Sequence, residues 1–128
     1  MKWKYKIDLK EDNAIAEIEK KLNIMFPKEL YKYIYDGNAA TPEKNKVIIG
    51  DVERVLGTMF SFNRNDEADS VFGVMDKVCN NNIPFAMDPF GNLFLYNVVD
   101  KFVLFFDHEN MKYDNSEMSI NVFFDSLY

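Results

Sequence analysis

Cysteine occurs once, at Cys79, and histidine once, at His108, so an internal disulfide is impossible and a Cys/His zinc site lacks its ligands. Cys79 then reads as a small core residue of a protein kept in a reducing cytoplasm. No continuous apolar stretch reaches the length of a membrane span, and the start Met1-Lys2-Trp3-Lys4-Tyr5-Lys6-Ile7-Asp8 alternates instead of leading into a signal-peptide core. Neither export nor membrane insertion is expected. Glycine (5) and proline (4) are too few for a collagen-like or low-complexity chain. Basic side chains are scarce in one half: residues 1–64 hold 12 basic and 10 acidic groups, residues 65–128 only 3 basic against 11 acidic. At a net charge of −6, broad attraction to nucleic-acid phosphate or anionic lipid is not expected, and a cationic partner is electrostatically easier.

What is present is a chain of 128 residues, about one domain's worth, with 12 Phe, 7 Tyr and 1 Trp to fill a core. Such a domain buries enough surface to fold alone, so we expect a single unit over residues 1–128, as a monomer or a weak homodimer. Trp3, Tyr5 and Ile7 alternate with Lys2, Lys4 and Lys6, the two-residue period of a strand. The lysines suit either a basic nucleic-acid arm or a protected sheet edge, and the acidic whole favours the edge. Asp12 or Asn13 can cap a helix burying Ile15, Ile18 and Leu22. Pro27 opens a second, with Leu30, Tyr33 and Ile34 as its buried stripe and Gly37-Asn38 tolerant of left-handed backbone at its end.

Val47-Ile48-Ile49 reads as a short strand after a polar loop, and Val52 to Phe62 suits a strand slightly better than a helix. After the acidic start Asn65-Asp66-Glu67, the residues Val71, Val74, Met75 and Val78 predict a third helix. Phe85-Ala86-Met87 and Leu93-Phe94-Leu95-Tyr96 flank Asp88-Pro89-Phe90-Gly91-Asn92 as a hairpin, with Gly91 at positive φ. Phe102 to Phe106 is apolar on both faces, as a covered strand requires, and Ile120, Phe123, Phe124 and Leu127 recur at helical spacing behind Ser116 or Ser119. The order predicts an α+β fold, a mainly antiparallel twisted sheet packed with N-terminal and C-terminal helices.

Catalytic signatures are thin. The sequence contains no Walker loop, GxGxxG, HExxH or GxSxG. Asp107-His108-Glu109 carries metal-ligand residue types, but on a strand the carboxylates face one side and the imidazole the other, and a hydrolase would need a further group such as Asp88. A strand-end cluster is the simpler reading. Cys79 and His108 as nucleophile and base lack an orienting third group. We therefore expect no catalytic residues, no metal and no cofactor. A binding surface is the better expectation: Asp66, Glu67, Asp69, Asp88, Asp100, Asp107 and Glu109, interrupted by Phe90 and Tyr96, would attract a basic partner and anchor it with aromatic area. Solvated charge and core aromatics are the alternative for each residue.

Several segments in order resemble the SUKH superfamily, the α+β domain of bacterial toxin-immunity proteins and of a yeast regulator of cell-wall assembly. They are Phe26-Pro27-Lys28-Glu29-Leu30-Tyr31-Lys32-Tyr33-Ile34 with Asp36-Gly37-Asn38, then Ile83 to Asn92, then Val103 to Glu109, then Phe123-Phe124-Asp125-Ser126-Leu127, covering the chain from about Ala14 onward. The motif positions Pro27, Gly37, Asn38, Asp88, Gly91, Asn92 and Asp107 look like fold determinants. One departure is that Ala39-Ala40 stand where the family commonly has a glycine pair, which removes positive-φ freedom from that loop. The resemblance implies no catalysis. It implies a cytoplasmic, bacterial immunity protein that binds the C-terminal domain of a secreted polymorphic toxin, often a nuclease, without itself contacting nucleic acid or membrane. Recognition surfaces vary among members, so no contact residue transfers. The competing expectation is an intracellular scaffold or regulatory interaction domain with an endogenous partner.

Overall fold

A computed structural model describes residues 1–66 and 68–128. The elements run β1 (Trp3–Lys4), α1 (Ile15–Leu22), α2 (Lys28–Gly37), β2 (Thr41–Pro42), β3 (Lys46–Ile49), β4 (Val52–Val55), β5 (Thr58–Met59), β6 (Asn82–Met87), β7 (Leu93–Asn97), β8 (Val103–Asp107), β9 (Lys112–Asn115) and α3 (Ile120–Asp125). The fold is α+β. A five-stranded antiparallel sheet in the order β5-β6-β7-β8-β9 is accompanied by the two-stranded pairs β1-β2 and β3-β4.

Both helices at the front of the chain form as the apolar spacing requires. Asn13 Oδ1 accepts the amide of Ile15 at 3.0 Å, supplying the first turn of α1 with an acceptor. Pro27 caps α2, and its carbonyl accepts the Tyr31 amide at 2.9 Å. At the other terminus Ser119 caps α3, accepting from the Val122 amide. Phe123 of α3 sits against Phe94 and Phe85 at centroid separations of 5.6 and 5.8 Å, while Phe94 and Phe105 face one another across β7 and β8 at 5.2 Å. Tyr33 of α2 stacks on Phe124 at 4.0 Å. These aromatic contacts clamp α2 and α3 to one face of the sheet.

Several local expectations are corrected. The stretch with Val71, Val74, Met75 and Val78 is not an α-helix but two 3-10 turns, Val71–Gly73 and Met75–Lys77. Three of its four apolar positions are valines, poor helix formers, and only Val71 is buried, so tertiary contact does not overrule propensity. The Val52 to Phe62 strand breaks into β4 and β5. The first strand stops at Lys4, because Tyr5 turns left-handed at φ 64° and ends the alternation. Cys79 is exposed and outside the core. A further strand, β9, pairs with β8 although Lys112-Tyr113-Asp114-Asn115 has no apolar alternation, and the register of the preceding turn places it there.

The end of α2 also differs in detail. Neither Gly37 nor Asn38 is left-handed, and the positive φ falls on Ala39 at 59°. Gly37 is required for a different reason: a Cβ there would lie 2.5 Å from Trp3 Cε2. Asn38 is fully buried, its Oδ1 accepting from the Phe62 amide and its Nδ2 donating to the Ile7 carbonyl. The residue thus stitches the N-terminal segment to the chain after β5.

Candidate protein-docking site

The β6–β7 and β8–β9 turns lie at one end of the sheet, since β7 runs away from that end and β8 returns to it. Asp88 builds the first turn: Oδ1 accepts the amides of Phe90 (2.9 Å) and Asn92 (2.8 Å), and Oδ2 accepts Asn92 Nδ2 (2.9 Å). Gly91 takes φ 87°, a conformation a side chain would strain. With the backbone so held, Phe90 projects from the tip at 80% exposure.

Asp107 builds the second turn in the same manner. Its Oδ1 accepts the amides of Glu109 and Asn110, its Oδ2 the side-chain amide of Asn110. The Asn110 amide, followed by that of Glu109, holds the Asp107 carboxyl below the usual carboxylate range. Its oxygens are therefore committed to the turn. Asn92 ties the two turns together, its Oδ1 accepting the His108 amide at 3.1 Å and lying 2.7 Å from His108 Nδ1. Because the partner is an amide oxygen, the Nδ1 side of the imidazole is the donor in this contact.

Between these turns and the 3-10 segment opens a cleft of about 340 Å³, lined by Val74, Lys77, Gly91, Leu93, Phe106, His108 and Met111. Leu93 and Phe106 are a cross-strand pair and form its apolar floor. Met111, left-handed at φ 56°, stands 66% exposed at the rim. The recess thus has an exposed Met in its lining and an exposed Phe one residue from its Gly91 wall, the residue types on which protein partners commonly anchor.

Of the acidic and aromatic surface expected from sequence, the structure gathers Phe90, Asp107 and Glu109 at this end, with Phe90 and Glu109 exposed. Asp88 (5% exposed) and Tyr96 (1%) are buried, which removes them as contacts. The Tyr96 hydroxyl donates to Glu29 Oε1 at 2.5 Å, holding the Glu29 carboxyl below its ordinary range, while burial and that bond push the phenol up. Asp66 also points inward: its side chain accepts from Ser61 Oγ (2.6 Å), Asn63 Nδ2 (2.8 Å) and Lys10 Nζ (2.9 Å). The Ser61 bond foremost, then those of Lys10 and Asn63, hold its carboxyl low.

Asp69 and Asp100 are exposed, but Asp100 lies in the β7–β8 turn at the opposite end of the sheet, about 17 Å of strand away. Glu67 lies outside the described residues. Met111, Lys77 and the Leu93/Phe106 floor were missed, because each reads as turn, solvated charge or core until the two turns are set side by side. Among the described residues no three His, Cys, Asp or Glu side chains gather into a metal-holding group, and no helix is long and apolar enough to cross a membrane.

No curated protein and no solved structure matches the chain. Residues 12–124 match the family SUKH_6, described as SMI1-KNR4 cell-wall, so the span includes α1, both tip turns and nearly all of α3. Pro27, Gly37, Asn38, Gly91 and Asn92 all have structural duties within it, as cap, close-contact site, buried bridge, positive-φ residue and inter-turn tie. The chain belongs to the SUKH (SMI1-KNR4 cell-wall) family.

Proposed function

We propose that this protein is a non-enzymatic immunity protein that binds a cognate secreted bacterial toxin domain in the cytoplasm and neutralises it by occlusion. The observation that carries the reading is the tip cleft: an apolar recess with exposed Met111 in its lining and exposed Phe90 next to its Gly91 wall, on turns held by the Asp88, Asn92 and Asp107 networks, in a chain of the SUKH family. Protein partners are anchored by such aromatic groups beside desolvated pockets. Exposed Glu109 adds negative charge, and 11 of the 21 acidic residues lie in residues 65–128 against 3 basic ones, so a basic toxin such as a nuclease is the favoured partner. Carboxylates would then occupy part of the position that phosphates take in its groove. No cofactor enters this mechanism.

The test is co-expression with the toxin domain encoded beside this gene, scored by cell survival and pull-down. Rescue with a stable complex is expected, as is its loss in a Phe90→Ala/Glu109→Lys variant that keeps the native circular dichroism. Association should slow as salt rises. No rescue and no complex would reject the reading. The family's cell-wall description favours a second one, a regulatory scaffold with an endogenous protein partner. The absence of any toxin gene nearby, with a stable host-protein complex, would select it.

A further inference from the structure

The five-stranded sheet has two unlike edges. Along β5 the chain after α2 closes the edge: the Met59 amide donates to the Ala40 carbonyl at 2.8 Å and the Ala39 amide to the Phe60 carbonyl at 3.2 Å. Along β9 nothing does so among the described residues, where β8 is the strand's one backbone partner. The Ser116 amide donates to the Val103 carbonyl at 3.0 Å, and backbone groups alternate sides along a strand, so positions 112, 114 and 116 face β8. The N–H and C=O groups of Tyr113 and Asn115 therefore point away from the sheet. Such an edge is a template for a further strand. Two residues apart on one face it carries opposite charges, Lys112 and Asp114. Lys112 is exposed and makes no ion pair among the described residues, while Asp114 meets Arg54 at 3.8 Å with its side chain still 47% exposed, so both can take a further partner.

We infer that β9 pairs antiparallel with β9 of a second copy of this chain, about a two-fold axis through Tyr113, in a weak homodimer that joins the two five-stranded sheets into one. A two-fold contact sets residue i against j and j against i. In this register Lys112 lies opposite Asp114 of the second copy, twice, and the outward groups of Tyr113 pair with their own counterparts. The charge order selects the register. The neighbouring registers that still match outward backbone groups, centred on Lys112 or on Asp114, set lysine against lysine or aspartate against aspartate, and directly opposed like charges are destabilising. The same order selects the occupant, since a strand reading Lys-Tyr-Asp is its own antiparallel complement. On the other face the Tyr113 ring lies 4.6 Å from Phe106 and its hydroxyl accepts the Cys79 amide at 2.9 Å, so it is fixed before association and loses little freedom on pairing. The strand is only four residues long and each copy carries a net charge of −6, which together keep the dimer weak.

The test is sedimentation equilibrium of the full chain from about 10 μM to about 2 mM at roughly 0.15 M salt, where the long-range repulsion between copies is screened. A dimer fraction that rises with concentration is expected. Lys112→Asp alone and Asp114→Lys alone each set like charges opposite one another, and each should weaken self-association about tenfold or more. An equimolar mixture of these two variants restores both opposite-charge pairs and should recover the parental association as a heterodimer. Phe90→Ala should leave the dimer unchanged, which separates this edge from the tip cleft, and circular dichroism verifies that each variant is folded. A parent chain monomeric throughout the range would overturn the proposal and leave the edge to a strand of another protein. Undiminished self-association of either charge variant, or a mixture that associates no better than its components, would also overturn it.

Discussion

Replacing Asn92 by alanine should loosen both tip turns at once. The Asn92 side chain donates to Asp88 Oδ2 at 2.9 Å, accepts the His108 amide at 3.1 Å and lies 2.7 Å from His108 Nδ1. In Asn92→Ala, Asp88 keeps the two backbone amides on Oδ1, but Oδ2, in a residue only 5% exposed, loses its donor. Stranding a buried acceptor of this kind costs about 1–3 kcal/mol, whereas the exposed His108 groups exchange Asn92 for water at a cost of a few tenths. The expected loss is about 2 kcal/mol. At this chain length that corresponds to roughly 6–10 °C in Tm. Urea unfolding is the direct assay, read as a lowered midpoint with an unchanged slope. Asn92→Asp retains an acceptor for His108 yet sets a second carboxylate against Asp88, and should cost at least as much at pH 7. Phe90→Ala, at the exposed tip, should stay within about 0.5 kcal/mol of the parent. A loss below about 0.5 kcal/mol for Asn92→Ala would refute the assignment of Asn92 as the tie between the turns.

Ala39 holds φ 59° with a Cβ, a strain of about 1–2 kcal/mol that glycine relieves while adding freedom to the unfolded chain. Ala39→Gly should therefore stabilise by about 0.5–1 kcal/mol in the same urea assay, and destabilisation would contradict the left-handed assignment. Gly37→Ala forces a Cβ to within 2.5 Å of the sole tryptophan, so a loss of about 1–3 kcal/mol should accompany a shift in Trp3 emission. Tyr96→Phe should cost about 1 kcal/mol at pH 7 by leaving Glu29 without its hydroxyl donor. Because the folded Glu29 carboxyl is held low, this stabilisation is complete above the unfolded Glu value of about 4.3 and disappears as pH falls through the folded one. The parent and Tyr96→Phe curves of stability against pH should accordingly converge toward acid, and parallel curves down to pH 2 would exclude the carboxylate as the source.

The candidate site was legible in part. Asp88 to Asn92 announces a turn because Pro89 and Gly91 carry their backbone preferences with them, and that is enough to place Phe90 at a tip. Asp107 reads as a strand-end carboxylate for the same local reason. Tyr96 does not reveal its direction, since Glu29, the group that satisfies it, stands 67 residues away, and Asp66 reads as a helix-start carboxylate although Ser61 and Asn63 close by, with Lys10 56 residues away, draw it inward. Nor does Cys79 reveal its exposure, because a small apolar residue fits a core or a loop equally well.

The sequence by itself determined the α+β class, the two leading helices, the β6–β7 hairpin, the buried β8 strand and the closing helix. Each rests on periodicity or turn chemistry within about a dozen residues, which needs no distant partner. Only the tertiary structure decided that Asp88, Asp66 and Tyr96 turn inward, that Asp100 stands at the far end of the sheet, and that Met111 and His108 meet the Phe90 turn across a cleft. The partners of Asp88 and most of those of Asp66 lie within five residues, but their burial, like the other outcomes, depends on strand order and on contacts far along the chain that no local window encodes.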